Sequence, residues 1–459
     1  MNEWETVTFG SIFEIKNGLN KNKEYFGHGT PILNYVDVYK NIFNSIDTIK
    51  GKVDVTDDEI KRFKVNDNDL FFTRTSETLD EVGLTSVYLG QDKDTVYSGF
   101  LLRARPKDKN INSLFYAYYL RTAEMRYHLI SHSSITTRAS LNGTNLSKIK
   151  LKKPPIEIQN KIANMLFLIE KKIELNQKIN NNLQRLIKNI IDFYFEKFIP
   201  FSNENMIESE IGLIPETWNI FKMKDIVKVL NGYSYKGSDL SESNIAMATI
   251  KNFDRNGGFK TDGFKEIIIS DRVKPHHFLN LFDVILACTD LTQNADIIGN
   301  AEILLNKSEY DDIIMSMDLI KIESKIPEIG NYILHALLST KRFKYHALGY
   351  VNGTTVLHMD KKAIPNYKLA LPNDFSILEY INNILKPLYQ SMSKNIHEIE
   401  KLTKLRDTLL PKLMSGELDV TNIDINFDFL NSFFHLLCTG KNNSLIFYFQ
   451  YFILSKQVV

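Results

Sequence analysis

Between residues 156 and 198 the chain runs IEIQNKIANMLFLIEKKIELNQKINNNLQRLIKNIIDFYFEKF, with no Pro or Gly. Its apolar residues recur at alternating steps of four and three: Ile162, Leu166, Ile169, Ile173, Asn176, Asn180, Leu183, Ile187 and Ile190. Seven of these nine positions are apolar, a spacing that predicts one long helix with a coiled-coil seam. The ladder returns 219 residues later as Ile381, Leu385, Leu388, Met392, Asn395, Ile399, Leu402, Arg406 and Leu409. The fifth seam position is Asn in both helices, Asn176 and Asn395. If the helices pair antiparallel, centre faces centre, and the two amides are expected to hydrogen-bond and hold the register, since a slip would leave a buried amide unpaired.

Each ladder follows a globular stretch, and the two stretches match. Trp4 and Trp218, Asn17-Gly18 and Asn231-Gly232, and Asp69 and Asp283 pair at an offset of 214, and Tyr127-His128 pairs with Tyr345-His346 at 218. An ordered series at nearly one offset is the mark of a tandem duplication with small loop insertions. Short β-prone runs (Phe71-Phe72-Thr73, Thr85-Ser86-Val87-Tyr88, Phe100-Leu101-Leu102), turns at Asn17-Gly18 and Gly27-His28-Gly29, and one helix over 113–128 give an α+β domain. The expected order is a first domain over 1–155, a helix over 156–199, a connector over 200–215, a second domain over 216–372 and a helix over 373–420. Pro411 should kink or break that last helix, with Ser415-Gly416 as its stop. A Phe-rich tail over 421–459 has no counterpart after the first helix.

Composition narrows the classes. Of 459 residues, 43% are hydrophobic and 24% charged, as in a globular protein. A net charge of +1 advertises no global field for nucleic acid, though a local basic patch suffices. Cys288 and Cys438 offer neither metal-ligand spacing nor a disulfide framework, which fits a reducing cytoplasm. The acidic start MNEWETVTF is not expected to act as a signal peptide, and no apolar run is long enough to predict a membrane span.

Catalytic motifs are missing. There is no GxxxxGK[ST], no [DNS]PP[FYW] tetrapeptide and no Gly-rich turn suited to S-adenosylmethionine. One nuclease-like pattern, Asp311 or Asp312 followed by Glu323-Ser324-Lys325, could hold a metal and activate water. Its first-repeat counterpart for Glu323 is Arg105, so an ordinary surface strand explains it better.

Basic and polar loops are more informative. Both blocks hold a window without Asp or Glu just before their helix, over 125–156 and 329–359. Each contains a polar loop, with Thr136, Thr137, Arg138 and Asn142 in the first and Asn352, Thr354, Thr355 and His358 in the second. Lys and Arg hold phosphates, while Thr, Ser, Asn and Arg reach base edges. A second candidate follows the Asp69/Asp283 strand, with Thr73, Arg74 and Ser76 against Thr289 and Asp290. A third follows the Asn-Gly turn, with Lys21 and Lys23 against Tyr235 and Lys236. A solvated loop would explain any one of these residues; the paired absence of acid carries more weight.

The matched helices with EIQNKIANMLFLIEKKIELNQKI, the connector SEIGLIPETWNIFKMKDI and the ending LRDTLLPKLMSGELDV together resemble the specificity (S) subunit of type I restriction-modification systems. The resemblance reaches Val420; the tail beyond departs from it. It implies two target recognition domains separated by antiparallel coiled-coil helices that act as a ruler of about 60 Å at 1.5 Å per residue. Each domain would read half of a bipartite, asymmetric site in double-stranded DNA. Two methyltransferase subunits using S-adenosylmethionine to methylate adenine, and ATP- and Mg-dependent restriction subunits, would complete the complex, leaving this chain without cofactor or catalysis. The competing readings are a nuclease or methyltransferase acting alone, against which the missing motifs speak, and a scaffold with no nucleic-acid role, against which the paired acid-free loops speak.

Overall fold

The computed structural model describes residues 4–90, 94–135 and 138–421. The tail beyond 421 and the segment with Thr136 and Thr137 therefore lie outside the described residues. The chain divides into two compact units, Met1–Glu170 with Leu405–Val459, and Lys171–Lys404. Each contains one globular block and a part of each long helix.

The first block is α+β. Its main sheet has five strands in the order Phe13–Asn17, Leu101–Pro106, Leu70–Thr73, Thr85–Tyr88 and Phe43–Asn44, antiparallel except at the last pair. Leu70–Thr73 and Thr85–Tyr88 are buried at every position, so they show no alternation in sequence. The expected turn at Gly27-His28-Gly29 lies instead inside strand Phe26–Leu33, where Gly27 and Gly29 take positive φ at a register shift. The single helix expected over 113–128 is two, Ser113–Tyr119 and Ala123–Ser131, because Thr122 turns out to cap the second with its hydroxyl on the Met125 amide. Strand Glu5–Thr8 pairs with Lys150–Lys153 and brings the block's two ends together.

The second block repeats this plan. Its sheet runs Val227–Asn231, Leu319–Ser324, Val284–Ala287, Ala301–Ile303. Trp218–Lys222 pairs with Lys368–Pro372, and helices Asn331–Leu338 and Lys341–Leu348 follow, with Thr340 capping the latter. The two tryptophans that marked the repeat each cover a helix end. Trp218 is enclosed edge-on by Phe195, Phe198 and Phe201, just past the first long helix. Trp4 lies over Gly416, just past the second.

The first long helix spans Ile156–Ile191 and passes into a π turn at Asp192–Glu196. The second spans Ser376–Ser415 without a break at Pro411, and also runs through Pro387. Both prolines are exposed, as are Asp407 and Asn383 one turn earlier, so water can take the hydrogen bonds the missing amides would have made. The stop is Gly416, at φ +76.

Within each unit the helix segments run antiparallel. In the first, Lys161 Nζ donates to the Thr421 carbonyl (2.6 Å) and Arg406 pairs with Glu170 (2.8 Å). In the second, Lys172 pairs with Glu398 (3.2 Å), and Ile173, Ile187, Ile381, Leu385 and Met392 are buried. The two central amides do not meet. Asn176, 1% exposed, donates to Glu398 (2.8 Å), while Asn395 donates to Asn180 (2.8 Å), the next seam position. The amide pair exists, but one turn away from the expected register. Asn180→Leu and Asn395→Leu should each cost about 1 kcal/mol by orphaning a half-buried amide, and the double variant less than both together. Urea unfolding of the four proteins checks this, and strict additivity would mean that the amides do not pair.

Candidate nucleic-acid interface

Two of the three loop candidates come together in each unit. In the first, Ser134–Ile135, Ala139–Ser140 and Thr75–Ser76 form a small antiparallel sheet in that order, with Ala139 opposite Ser76 and Ser140 opposite Thr75. In the second, Val351–Asn352, Leu357–Met359 and Thr289–Asp290 do the same, with Leu357 opposite Asp290 and His358 opposite Thr289. The flanking hydrogen bonds correspond as well. Arg74 N donates to Phe100 O (3.0 Å) and Leu141 N to Arg74 O (2.8 Å), as Cys288 N donates to Asp318 O (2.8 Å) and Met359 N to Cys288 O (2.9 Å).

The Asn-Gly turn packs against the segment that leads to Phe100, the partner of Arg74. Gly99 N donates to Leu19 O (2.7 Å). Gly18 and Gly232 press so close to the carbonyls of Ser98 and Ser316 that any Cβ would overlap the oxygen, which explains a glycine at both positions.

Several expected contact residues have their polar groups engaged within the fold. Thr73 is fully buried; its hydroxyl donates to the Glu81 carbonyl and accepts from Leu84 N (2.9 Å), closing the loop after its strand. Asp290, 1% exposed, does the same for 291–298, accepting from Ile297 N (2.7 Å), Ile298 N (3.3 Å) and both Thr292 donors. Burial raises its carboxyl, but these hydrogen bonds outweigh it and hold the group below the ordinary range. Lys21 is held by Glu59 (2.8 Å), the Asp54 carbonyl (2.8 Å) and the Tyr25 ring. Ser76 donates to Glu81 (2.7 Å), Thr289 to Asp318 (3.1 Å), and Asn142 caps the short helix Gly143–Ser147. Half-buried Tyr235 accepts from Lys265 (3.4 Å).

Other candidates do face outward. Lys23, Lys236, Asn352, Thr354, Thr355 and His358 are exposed. Arg74 is half-exposed, and its guanidinium has no hydrogen bond or ion pair among the described residues. Arg138 is exposed beside Glu77 (3.2 Å).

The acid-free windows are also partly structural. Arg126 Nη2 donates to Asp80 O (2.9 Å), and its counterpart Lys344 donates to Ala295 O (2.9 Å), Ile298 O (2.6 Å) and Asn300 Oδ1 (2.7 Å). Each ties down the loop after a central strand, and burial pushes the Lys344 amine down to about 8. At the rim of the first platform lies a groove where the expected Arg138 is joined by Tyr35, Phe100, Glu77, Thr78 and Glu81, none of them a candidate from the sequence. Phe100 is 62% exposed, and only the tertiary bond to Arg74 brings it there.

The nuclease-like residues are engaged elsewhere. Glu323 pairs with Lys321 (3.2 Å), Lys325 Nζ donates to Lys224 O (2.6 Å) and Asp312 pairs with Lys307 (3.7 Å). Among the described residues no cluster of three or more His, Cys, Asp or Glu is placed to hold a metal. Burial pushes the Cys288 thiol up to about 12, an inert state. No helix among them is long and apolar enough to cross a membrane.

The duplicated α+β block, each copy carrying a matched three-stranded platform and followed by a long helix, defines a tandem-repeat α+β protein. Residues 1–185 match the family described as type I restriction modification DNA specificity domain. Over 433 residues, 92% of this chain and 95% of the relative, the chain is 24% identical to the type I restriction enzyme MjaIX specificity subunit of Methanocaldococcus jannaschii. It is 25% identical to the MjaVIII specificity subunit of the same organism over 79% of this chain and 82% of that one. The fold is similar to the crystal structure of a type I restriction-modification S subunit from M. genitalium (TM-score 0.58, 15% identity, 90% of this chain and 96% of that chain). The first block and its helix thus carry the sequence pattern of a type I restriction modification DNA specificity domain, and the chain is similar along nearly its whole length to proteins named as type I restriction enzyme specificity subunits.

Proposed function

We propose that this chain reads a bipartite, asymmetric site in double-stranded DNA, one half-site per block, and positions adenine-N6 methyltransferase and ATP-dependent restriction subunits on it. The observation that carries this reading is the pair of platforms: identical in strand register and backbone hydrogen bonding, different in the side chains they display. One scaffold with two surfaces suits two different half-sites. In this reading the exposed or half-exposed Lys23, Lys236 and Arg74 hold phosphates, and the exposed Asn352, Thr354, Thr355 and His358 meet base edges. The two long helices are the docking surface for two methyltransferase subunits, and the restriction subunits join them. S-adenosylmethionine, ATP and Mg belong to those partners; this chain holds no cofactor and works in the cytoplasm.

Methylation mapping of genomic DNA by single-molecule sequencing, with and without this gene beside its methyltransferase partner, tests the reading. The expected result is a gene-dependent methyladenine motif in two parts with a fixed unspecified gap. An assembled complex that yields no such motif overturns it.

A further inference from the structure

The strand registers equate the two platforms residue by residue. Ala139 opposes Ser76 as Leu357 opposes Asp290, and Ser140 opposes Thr75 as His358 opposes Thr289. One step out from those pairs, Arg138 therefore corresponds to Val356, and Glu77 to Leu291. The first platform carries an ion pair at this corner, Arg138 Nη2 to Glu77 Oε1 at 3.2 Å, with side chains 64% and 80% exposed. The second carries two apolar residues there, with Leu291 68% exposed. Resting on the DNA-reading function above, we infer that the Arg138–Glu77 pair reads one G·C base pair in the major groove. No such pair is required by the second block, whose Leu291 and Val356 suit a thymine methyl.

The chemistry is specific. A carboxylate on a surface facing phosphates is repelled unless it meets a donor, and the base-edge partner for Glu is the cytosine N4 amino group. The guanidinium beside it matches the O6 and N7 acceptors of guanine in a bidentate fork. In a G·C pair these acceptors and this donor lie next to each other on one edge, as Arg138 and Glu77 lie next to each other on one corner. The pair is otherwise free of the fold: neither side chain is buried, and the neighbouring loop is closed by Thr73 and by Ser76 on Glu81, not by Glu77. An exposed ion pair contributes little to stability, so the two residues can be altered with the platform intact.

The test uses the full chain assembled with its methyltransferase partner. Duplexes carrying the mapped motif, with each specified position substituted in turn, are scored for methyladenine formed by the parent, Arg138→Gln, Glu77→Gln and Arg138→Lys. The expected outcome is one obligatory G·C position in one half-site, where Arg138→Gln lowers discrimination by about tenfold or more. Every position of the other half-site should be unaffected. Glu77→Gln should relax the same position, and Arg138→Lys should restore part of it.

If Arg138→Gln lowers methylation of all duplexes alike, Arg138 holds a phosphate and the inference fails. It also fails if the motif has no obligatory G·C position, or if the relaxed position is A·T. In each of these cases the bipartite-site reading stands. Absence of any motif for the parent complex overturns that reading and the inference with it.

Discussion

Glu302→Gln is expected to raise the melting temperature at pH 8 and to leave it unchanged near pH 4.5. Glu302, 7% exposed on strand Ala301–Ile303, accepts a hydrogen bond from Gly258 N at 2.8 Å. Burial pushes its carboxyl up to about 7 from an ordinary 4.5; the Gly258 amide opposes this and Asp254 adds to it. A carboxyl raised on folding gives its full stability below the unfolded pKa and loses it as the pH climbs through the folded one. By pH 8 the ionised group costs about 3 kcal/mol at 1.36 kcal/mol per pKa unit. Glutamine has no charge to desolvate and keeps an oxygen for Gly258.

His335 in the same unit has the opposite slope. Burial pushes its imidazole down to about 4, with the ring 2.6 Å from the Tyr389 hydroxyl. Its stability is present above an ordinary 6.5 and is lost as the pH falls toward 4. The two slopes oppose each other between about 4.5 and 6.5, so the parent should be nearly flat there. Glu302→Gln should unmask the His335 slope, read as a melting temperature that rises with pH across that window. A variant that tracks the parent at every pH would show that this carboxyl is not desolvated.

Asp69→Ala is expected to cost about 3–5 kcal/mol, the usual effect of removing one partner from a buried charge pair. Asp69 has no exposed surface; it accepts from Arg105 Nε and Nη2, both at 2.7 Å, and from Asn66 N at 2.8 Å. The bond to Asp69 lifts the Arg105 guanidinium above its ordinary range. The matched Asp283 accepts from Asn280 N (2.9 Å) and from Lys321 (3.4 Å), which also bonds Glu323 (3.2 Å) and the Phe278 carbonyl (3.2 Å). Asp283→Ala leaves Lys321 with partners and should cost clearly less. Chemical denaturation of both variants checks the ordering, and equal losses would mean that the fork geometry at Arg105 adds nothing.

The long helices and the duplication were legible in the sequence because both are periodic. Apolar positions alone specify the seam, and anchors such as Asn17-Gly18 and Asp69 sit where backbone geometry leaves little choice. The seam register was less so. Counting positions cannot tell which turn faces which, and Glu398 competes with Asn395 for Asn176. At the interface, residue type indicated the right loops but not the aim of each side chain. Thr73 and Asp290 have the chemistry of contact residues and spend it on closing their own loops, while Lys21 is held by Glu59 and the Asp54 carbonyl. Phe100 and Glu77 escaped notice because they are single residues, brought to the rim by bonds between strands distant in sequence. Pro411 was read as a break on local grounds, which the solvent-facing side of a long helix overrides.

Trp4 resting on Gly416 has a topological meaning. The strand that opens the first block is seated against the close of the second long helix, as Trp218 is seated against the segment that closes the first. The two junctions are therefore packed alike: in each, a tryptophan at the start of a block closes over the residues that end a long helix.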